Sequence, residues 1–174
     1  MFLRIVWMVA IVIAAVLVFA ATRPNSVRVQ RSLAINAPPE RIFPLIDDLH
    51  NWPQWAPQDR EDPTMKRTYS GAASGAGAVS DWAGSGSAGK GQMAIIQSEP
   101  LRRVVVKVDF VKPFVAHNIN EFTLEPGAAT RVTWTMQGSN LYFMKLLGIF
   151  VNMDRMMGKH FESGLQNLKR TAQG

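Results

Sequence analysis

Residues able to do chemistry concentrate in one short stretch, His117-Asn-Ile-Asn-Glu121. On a strand successive side chains point to opposite faces, so Asn118 and Asn120 share one face and His117 and Glu121 the other. Whichever pair looks into an interior decides what that interior can do. His117 with Glu121 would supply groups for proton transfer. Asn118 with Asn120 would supply amides that both donate and accept, suited to orienting a carbonyl or hydroxyl of a ligand. The bland alternative for all four is bonding to neighbouring strands or to solvent.

The other candidates point elsewhere. His50, His117 and His160 fall in a loop, a strand and a helix, without metal-ligand spacing, so no metal site is expected. Asp47 and Asp48 are adjacent and diverge by about 100° on a helix, which suits a helix end facing water better than a shared proton. Gly84-Ser-Gly-Ser-Ala-Gly89 matches G-x-G-x-x-G literally, and Gly84 to Lys90 nearly completes a phosphate-binding loop. Both motifs work only where a strand ends and a helix begins. Here Gln92-Met-Ala-Ile-Ile96 reads as a strand, and Gly91 stands where a magnesium-binding hydroxyl is required. Seven glycines between Gly71 and Gly91 suit hairpin turns and bulges. No Ser-His-Asp set can be assembled, and no cofactor is expected.

The elements that must position these residues are strands and one long helix. Val27, Val29, Leu33 and Ile35 alternate, and Pro38-Pro39 then starts a helix in which Glu40 favours the positive end of the dipole. Pro44 removes a hydrogen bond about two turns in, so this helix should be short or kinked, end near Asp48, and yield to a second turn around Trp52 and Trp55. Arg103 to Phe110 places Val104, Val106, Val108 and Phe110 on one face. Arg131 to Gln137 does the same with Val132, Trp134 and Met136. Glu99-Pro100, Lys112-Pro113 and Glu125-Pro-Gly127 punctuate these runs. Leu141 to Ala172 reads as one long helix with an apolar stripe through Leu146, Phe150, Met153, Met157, Phe161, Gly164 and Leu168. Gly148, Gly158 and Gly164 each weaken it by about 1 kcal/mol relative to alanine, which for Gly164 points to close packing on the sheet.

The chain's 174 residues suffice for one good core. Nineteen basic against thirteen acidic residues give +6, but the charge is scattered rather than striped, so a nucleic-acid partner is not expected. The densest group, Arg23, Arg28 and Arg31, adjoins an apolar segment and suits a membrane surface. There is no cysteine, which excludes disulfides and thiol chemistry. Ile5 to Ala21 carries no charge and no proline; as a helix it spans about 26 Å, near the ~30 Å hydrocarbon core. Residues 1–22 therefore read as a single transmembrane anchor of a bacterial inner membrane, with a cleaved signal and export as the alternative. Positive-inside reasoning leans weakly towards a cytoplasmic domain. Residues 23–26 are a short linker; from Thr22 to Ser26 the reach is at most about 17 Å, so the domain at 27–172 must sit against the bilayer.

Ile35-Asn-Ala-Pro-Pro-Glu-Arg-Ile-Phe43 runs on into Asp48-Leu-His-Asn-Trp-Pro-Gln-Trp-Ala-Pro57. With Glu121-Phe-Thr-Leu-Glu-Pro126, Thr130-Arg-Val-Thr-Trp134 and the long C-terminal helix, it resembles the polyketide cyclase/dehydrase-like branch of the START/Bet v 1 (SRPBCC) superfamily. The resemblance covers roughly residues 27–172. It implies an α+β helix-grip fold: an antiparallel sheet wrapped around the C-terminal helix, with a cavity between them. Within that architecture Trp55, Trp82, Phe110, Asn118, Asn120, Trp134, Met153 and Met157 are the residues expected to line the cavity, the two asparagines if their face of the strand is the inner one, the methionines adding adaptable walls. The expected function is a membrane-anchored binder or carrier of a hydrophobic small molecule or lipid. A polyketide cyclase or dehydratase, or a non-catalytic protein-interaction module, are the alternatives.

Overall fold

The computed structural model describes residues 2–62, 64–85, 89–112, 114–139, 145–146, 148 and 152–174. Helix α1 (Phe2–Thr22) precedes β1 (Ser26–Ile35), α2 (Pro39–Asp47), a 3-10 turn (Leu49–Gln54) and α3 (Pro57–Glu61). Six strands follow: β2 (Lys66–Gly71), β3 (Ala78–Ala83), β4 (Lys90–Glu99), β5 (Arg103–Lys112), β6 (Ala116–Glu125) and β7 (Thr130–Ser139). Helix α4 (Met153–Gln173) ends the chain. The strands form one antiparallel sheet in the order β1-β7-β6-β5-β4-β3-β2. Consecutive strands from β2 to β7 are neighbours; the helical segment after β1 lets β1 return to pair with β7.

The local reasons are those of the sequence. Pro39 starts α2, Pro44 sits inside it, and Asp48 leaves the helical conformation. The Asp48 carboxylate then accepts from the His50 backbone N–H at 2.9 Å and caps the 3-10 turn. Asp47 does not face water as expected. Its carboxylate accepts from Ser98 Oγ at 2.6 Å, and its carbonyl accepts from Gly75 N–H at 2.9 Å, fastening α2 to β4 and to the β2–β3 loop. The glycine-rich stretch forms hairpins: Gly71, Gly75, Gly77 and Gly89 have positive φ, and Gly84 N–H donates to Gly89 carbonyl to close β3 onto β4. No phosphate-binding helix start follows it.

The long helix is shorter than the sequence stripe suggests. Asn152 is non-helical and its side chain accepts from Arg155 N–H at 2.9 Å, an N-cap that starts α4 at Met153. Lys145, Leu146 and Gly148 are helical but belong to a separate stretch, and Leu141 and Phe150 lie outside the described residues. An asparagine within a periodic run is weak in a helix interior and strong as a cap, which is the physical reason for the break.

The core sits between sheet, α2, the 3-10 turn and α4. Its centre is aromatic. Trp55 meets Phe122 at 6.0 Å and Trp134 at 5.9 Å, both edge to face, and Trp134 stacks on Phe161 of α4 at 4.2 Å with 8° between the rings. The indole N–H groups are satisfied: Trp52 donates to Ile46 carbonyl, Trp55 to Leu45 carbonyl and Trp134 to Asn120 Oδ1. A Cβ at Gly164 would lie 2.7 Å from Trp134 Cζ3 and 3.3 Å from Pro57, so the glycine permits the close helix–sheet approach read from the sequence. Gly158 lies instead over the Arg31 guanidinium, whose Nη2 would be 1.9 Å from an added Cβ. Arg31 ion-pairs there with Asp154 at 3.0 Å and Glu162 at 2.9 Å.

The two glycines predict opposite outcomes. Alanine gains about 1 kcal/mol of helix propensity at either site. At Gly164 the obstacle is a ring locked in the core, where overpacking costs about 1–3 kcal/mol, so G164A should lower the urea midpoint. At Gly158 the obstacle is the end of a flexible side chain in exposed ion pairs worth about 0–1 kcal/mol each, so G158A should be close to neutral. Urea denaturation of both variants, followed by tryptophan fluorescence, checks the contrast.

Candidate functional site

Alternation on the four central strands fixes which residues look inward. On β6 the inner face carries Ala116, Asn118, Asn120, Phe122 and Leu124; on β5, Val104, Val106, Val108 and Phe110; on β7, Thr130, Val132, Trp134, Met136 and Gly138. On β4 it carries Gly91, Met93 and Ile95. The asparagine face of the His117–Glu121 stretch is thus the inner one. None of these named inner-face residues is titratable.

His117 and Glu121 project from the outer face and are engaged there. His117 Nδ1 lies 2.7 Å from Asp109 Oδ1, and Lys107 Nζ lies 2.8 Å from Asp109 Oδ2. Hydrogen bonds from Lys107 above all, then from His117, hold the Asp109 carboxyl below the usual aspartate range. Glu121 receives two bonds from Arg103, at 3.1 and 2.6 Å. The same outer face has a groove of about 70 Å³ lined by Arg28, Ile119, Glu121, Thr135 and Gln137. That is far below the ~300–1,000 Å³ of an ordinary small-molecule site.

Burial on the inner face changes along the strands. Towards the end where β1 finishes, Leu124, Phe122, Val104, Val106 and Val132 are all but fully buried. Towards the end where β1 begins, Asn118, Ala116, Phe110 and Gly138 are only half-buried. The core is therefore packed at one end and loosens at the other, which is the end nearest α1. At the loose end Trp82 stands edge to face on Phe110 at 5.3 Å and covers Gly91, where a Cβ would lie 2.4 Å from its ring. Gly138 makes room for Asn118, whose Oδ1 would be 1.9 Å from a Cβ there.

The expected lining residues divide along this gradient. Trp82, Phe110 and Asn118 come together on the inner face at the loose end, and Met157 of α4 packs at the margin of the core. Asn120 and Trp134 are bonded to each other at 2.9 Å and form the boundary. Trp55 lies fully buried behind them, its N–H taken by Leu45 and its carbonyl by Asn167. Met153 opens α4, with its side chain outside the described residues. No group of three or more metal-ligating side chains occurs among the described residues.

The sequence did not announce two polar fastenings at the β2–β3 side of the grip. Arg67, inward on β2, is almost wholly buried and forms a two-pronged ion pair with Asp59 of α3, at 2.7 and 2.6 Å, while Nη1 reaches Ser80 Oγ at 3.2 Å. Asp62 accepts from Thr64 N–H and Oγ1 and from Ser85 N–H and Oγ, tying the α3–β2 connection to the β3–β4 hairpin. Neither pairing has a spacing signature, since the partners meet only through the fold. Arg67 sharing the inner parity of Tyr69 was the one signal available.

Residues 26–173 match the profile of the family described as polyketide cyclase / dehydrase and lipid transport. No curated protein matches the sequence. Among solved structures the chain is similar in fold to the protein CV1439 of Chromobacterium violaceum (16% identity, TM-score 0.59), covering 87% of this chain and 99% of that one. It is similar to the protein TTHA0849 of Thermus thermophilus (19%, TM-score 0.61), covering 84% and 97%. A third likeness is to the di-domain ARO/CYC BexL of the BE-7585A biosynthetic pathway (12%, TM-score 0.64), covering 90% of this chain and 53% of that one.

Two predictions concern the fastenings. Removing one partner of a buried ion pair leaves the other charge uncompensated, at about 3–5 kcal/mol, whereas replacing both by apolar groups is often near neutral. D59A should therefore destabilise strongly, and the double variant D59L/R67M far less, as read from urea denaturation. For Asp62, the hydrogen bond from Thr64 chiefly, then those from Ser85, hold the carboxyl below its ordinary 3.8. A depressed folded value contributes stability that is fully present above the unfolded value and is lost as pH falls through the folded one. D62N should remove that part of the acid limb from a plot of melting temperature against pH and lower the melting temperature at neutral pH.

Proposed function

The chain belongs to the polyketide cyclase/dehydrase and lipid transport family, and from that premise we propose that it is a membrane-anchored binding or carrier protein. Its ligand is a hydrophobic small molecule or lipid held between the sheet and α4. The observation that carries this reading is the chemistry of the inner face at its loosely packed end. It is apolar and aromatic, with amides from Asn118 and Asn120; none of the inner-face residues named above on β4 to β7 is titratable, and the inward Arg67 of β2 is held by Asp59. Such a surface can bury apolar area and orient one or two polar groups of a ligand. Proton-transfer catalysis needs an acid or base within reach of the substrate, and His117 and Glu121 sit on the opposite face with partners of their own.

In this reading Trp82, Phe110, Asn118 and Met157 touch the ligand, Asn120 and Trp134 form the far wall, and Trp55 backs that wall. Asn118 is the principal handle, because the Asn120 carbonyl already accepts from Trp134. Helix α1 supplies the anchor: Arg4–Thr22 is long and apolar enough to cross a membrane, and along it large apolar side chains such as Trp7, Ile11 and Val18 are exposed. Bare to water, such a helix would be costly; in hydrocarbon its backbone is satisfied internally and its side chains are solvated. A carrier fixed at the bilayer meets ligands that are scarce in water.

Native mass spectrometry of the full chain after gentle extraction tests the reading. The expected result is a defined extra mass whose fragmentation identifies an apolar compound. Bare protein that also refuses a panel of lipids and polyketide mimics would overturn it.

A further inference from the structure

The cross-strand register defines one edge of the sheet. Ser26 pairs with Ser139 and Gly138 with Asn118; Ala116 pairs with Phe110 and Lys112 with Lys90; Lys90 pairs with Ala83, and Ala83 with Lys66. The start of β1, the β5–β6 hairpin and the ends of β2, β3 and β4 nearest it thus lie along the same edge. Helix α1 enters the domain there. It ends at Thr22 and β1 starts at Ser26, so the edge lies within about 17 Å of the helix end. The junction is fastened, with Arg23 stacked over the Phe19 ring at 4.8 Å and Lys145 donating to Asn25.

Two independent features of this edge point to one kind of partner. Outside α1, the three most exposed large apolar side chains among the described residues are Val111 (59%), Phe114 (62%) and Val115 (60%), all on the β5–β6 hairpin. Beside them runs a row of basic residues. Lys66, Lys90 and Lys112 are exposed, and among the described residues none of the three is in an ion pair. Lys90 and Lys112 are directly opposed across β4 and β5. Like charges so placed repel, an arrangement that fits an edge meeting a surface of opposite charge. Apolar tips flanked by lysines are the composition that partitions into the headgroup and upper acyl region of an anionic bilayer.

We propose that this edge is a lipid-contact surface: the β5–β6 hairpin dips into the interface of an anionic bilayer and the lysine row meets its headgroups. The half-buried inner-face residues Phe110, Ala116 and Asn118 belong to the same end, so the loose end of the grip is held open to the membrane rather than to water. The orientation of the domain then follows from its own surface and not from the tether alone. This goes beyond anchoring by α1 and rests on the carrier reading only for its purpose.

The absence of native cysteine permits a direct test on the full chain in vesicles. Single variants Val115→Cys, Ala128→Cys and Ile11→Cys each carry an environment-sensitive fluorophore, and nitroxide-labelled lipids report depth. Ala128 lies in the β6–β7 turn at the opposite end of ten-residue strands, roughly 30 Å away. In phosphatidylglycerol-containing vesicles the probe at 115 should be blue-shifted and quenched by shallow nitroxides, and the probe at 128 should be neither. Pure phosphatidylcholine should weaken the signal at 115, and K66Q/K90Q/K112Q should abolish that lipid dependence. A probe at 115 that reports water as fully as the one at 128 overturns the proposal. If the probe at 11 is still quenched, the anchor reading survives that failure; quenching at 115 without quenching at 11 would keep the surface and sink the anchor.

Discussion

The side chain of Trp134 joins every layer of the domain. Its ring stacks on Phe161 and lies under Gly164, which holds α4 to the sheet. Its edge meets Trp55 of the segment between the 3-10 turn and α3, and its N–H is given to Asn120 on the neighbouring strand. Aromatic rings carry large apolar area with few torsions to order, so one residue can position three elements at small entropic cost. The same residue divides the interior. Behind it the core is closed by Trp52, Trp55 and Phe122; in front of it the strands carry the buried Trp82 and the half-buried Asn118 and Phe110.

That division explains how much of the fold was legible in the sequence. Period-two alternation in β5 and β7, the double proline before α2 and the tryptophan pair before Pro57 depend on local sterics and burial, and each led to the observed element. The parity of β6 was also legible, but its sense was not. Alternation says that Asn118 opposes His117, and only the pairing of β6 between β5 and β7 under α4 says which of them is inside. The apolar stripe overstates α4 for a related reason: it continues past Asn152, and periodicity does not register a side chain that bonds nearby backbone and caps the helix.

The candidate site was legible in part, because its apolar members follow from parity while its polar supports do not. Arg67 with Asp59, Asp62 with Ser85, and Arg31 with Asp154 and Glu162 are pairs brought together by tertiary structure. The separation in sequence reaches 131 residues between Arg31 and Glu162. No local pattern encodes such a meeting. Gly158 and Gly164 show the same asymmetry: close approach could be inferred for a glycine on the apolar stripe, but whether a ring or a guanidinium filled the space could not.

The two ends of the domain are held by different forces, and this bears on what each can do. The closed end is secured chiefly by buried hydrocarbon and aromatic contacts, with the Asp47–Ser98 bond beside them. Towards the α1 end the fastenings are polar: Asp62 gathers the β3–β4 hairpin, and Lys145 holds the linker at Asn25. Asp62 and Lys145 are themselves buried, but regions whose fastenings are polar rather than apolar open locally at lower free energy than the core. On the proposed carrier reading, a grip that admits and releases an apolar ligand needs one end that can open without unfolding the other. Placing the aromatic core away from the α1 edge, and polar contacts beside that edge, would separate those two requirements along the length of a single sheet.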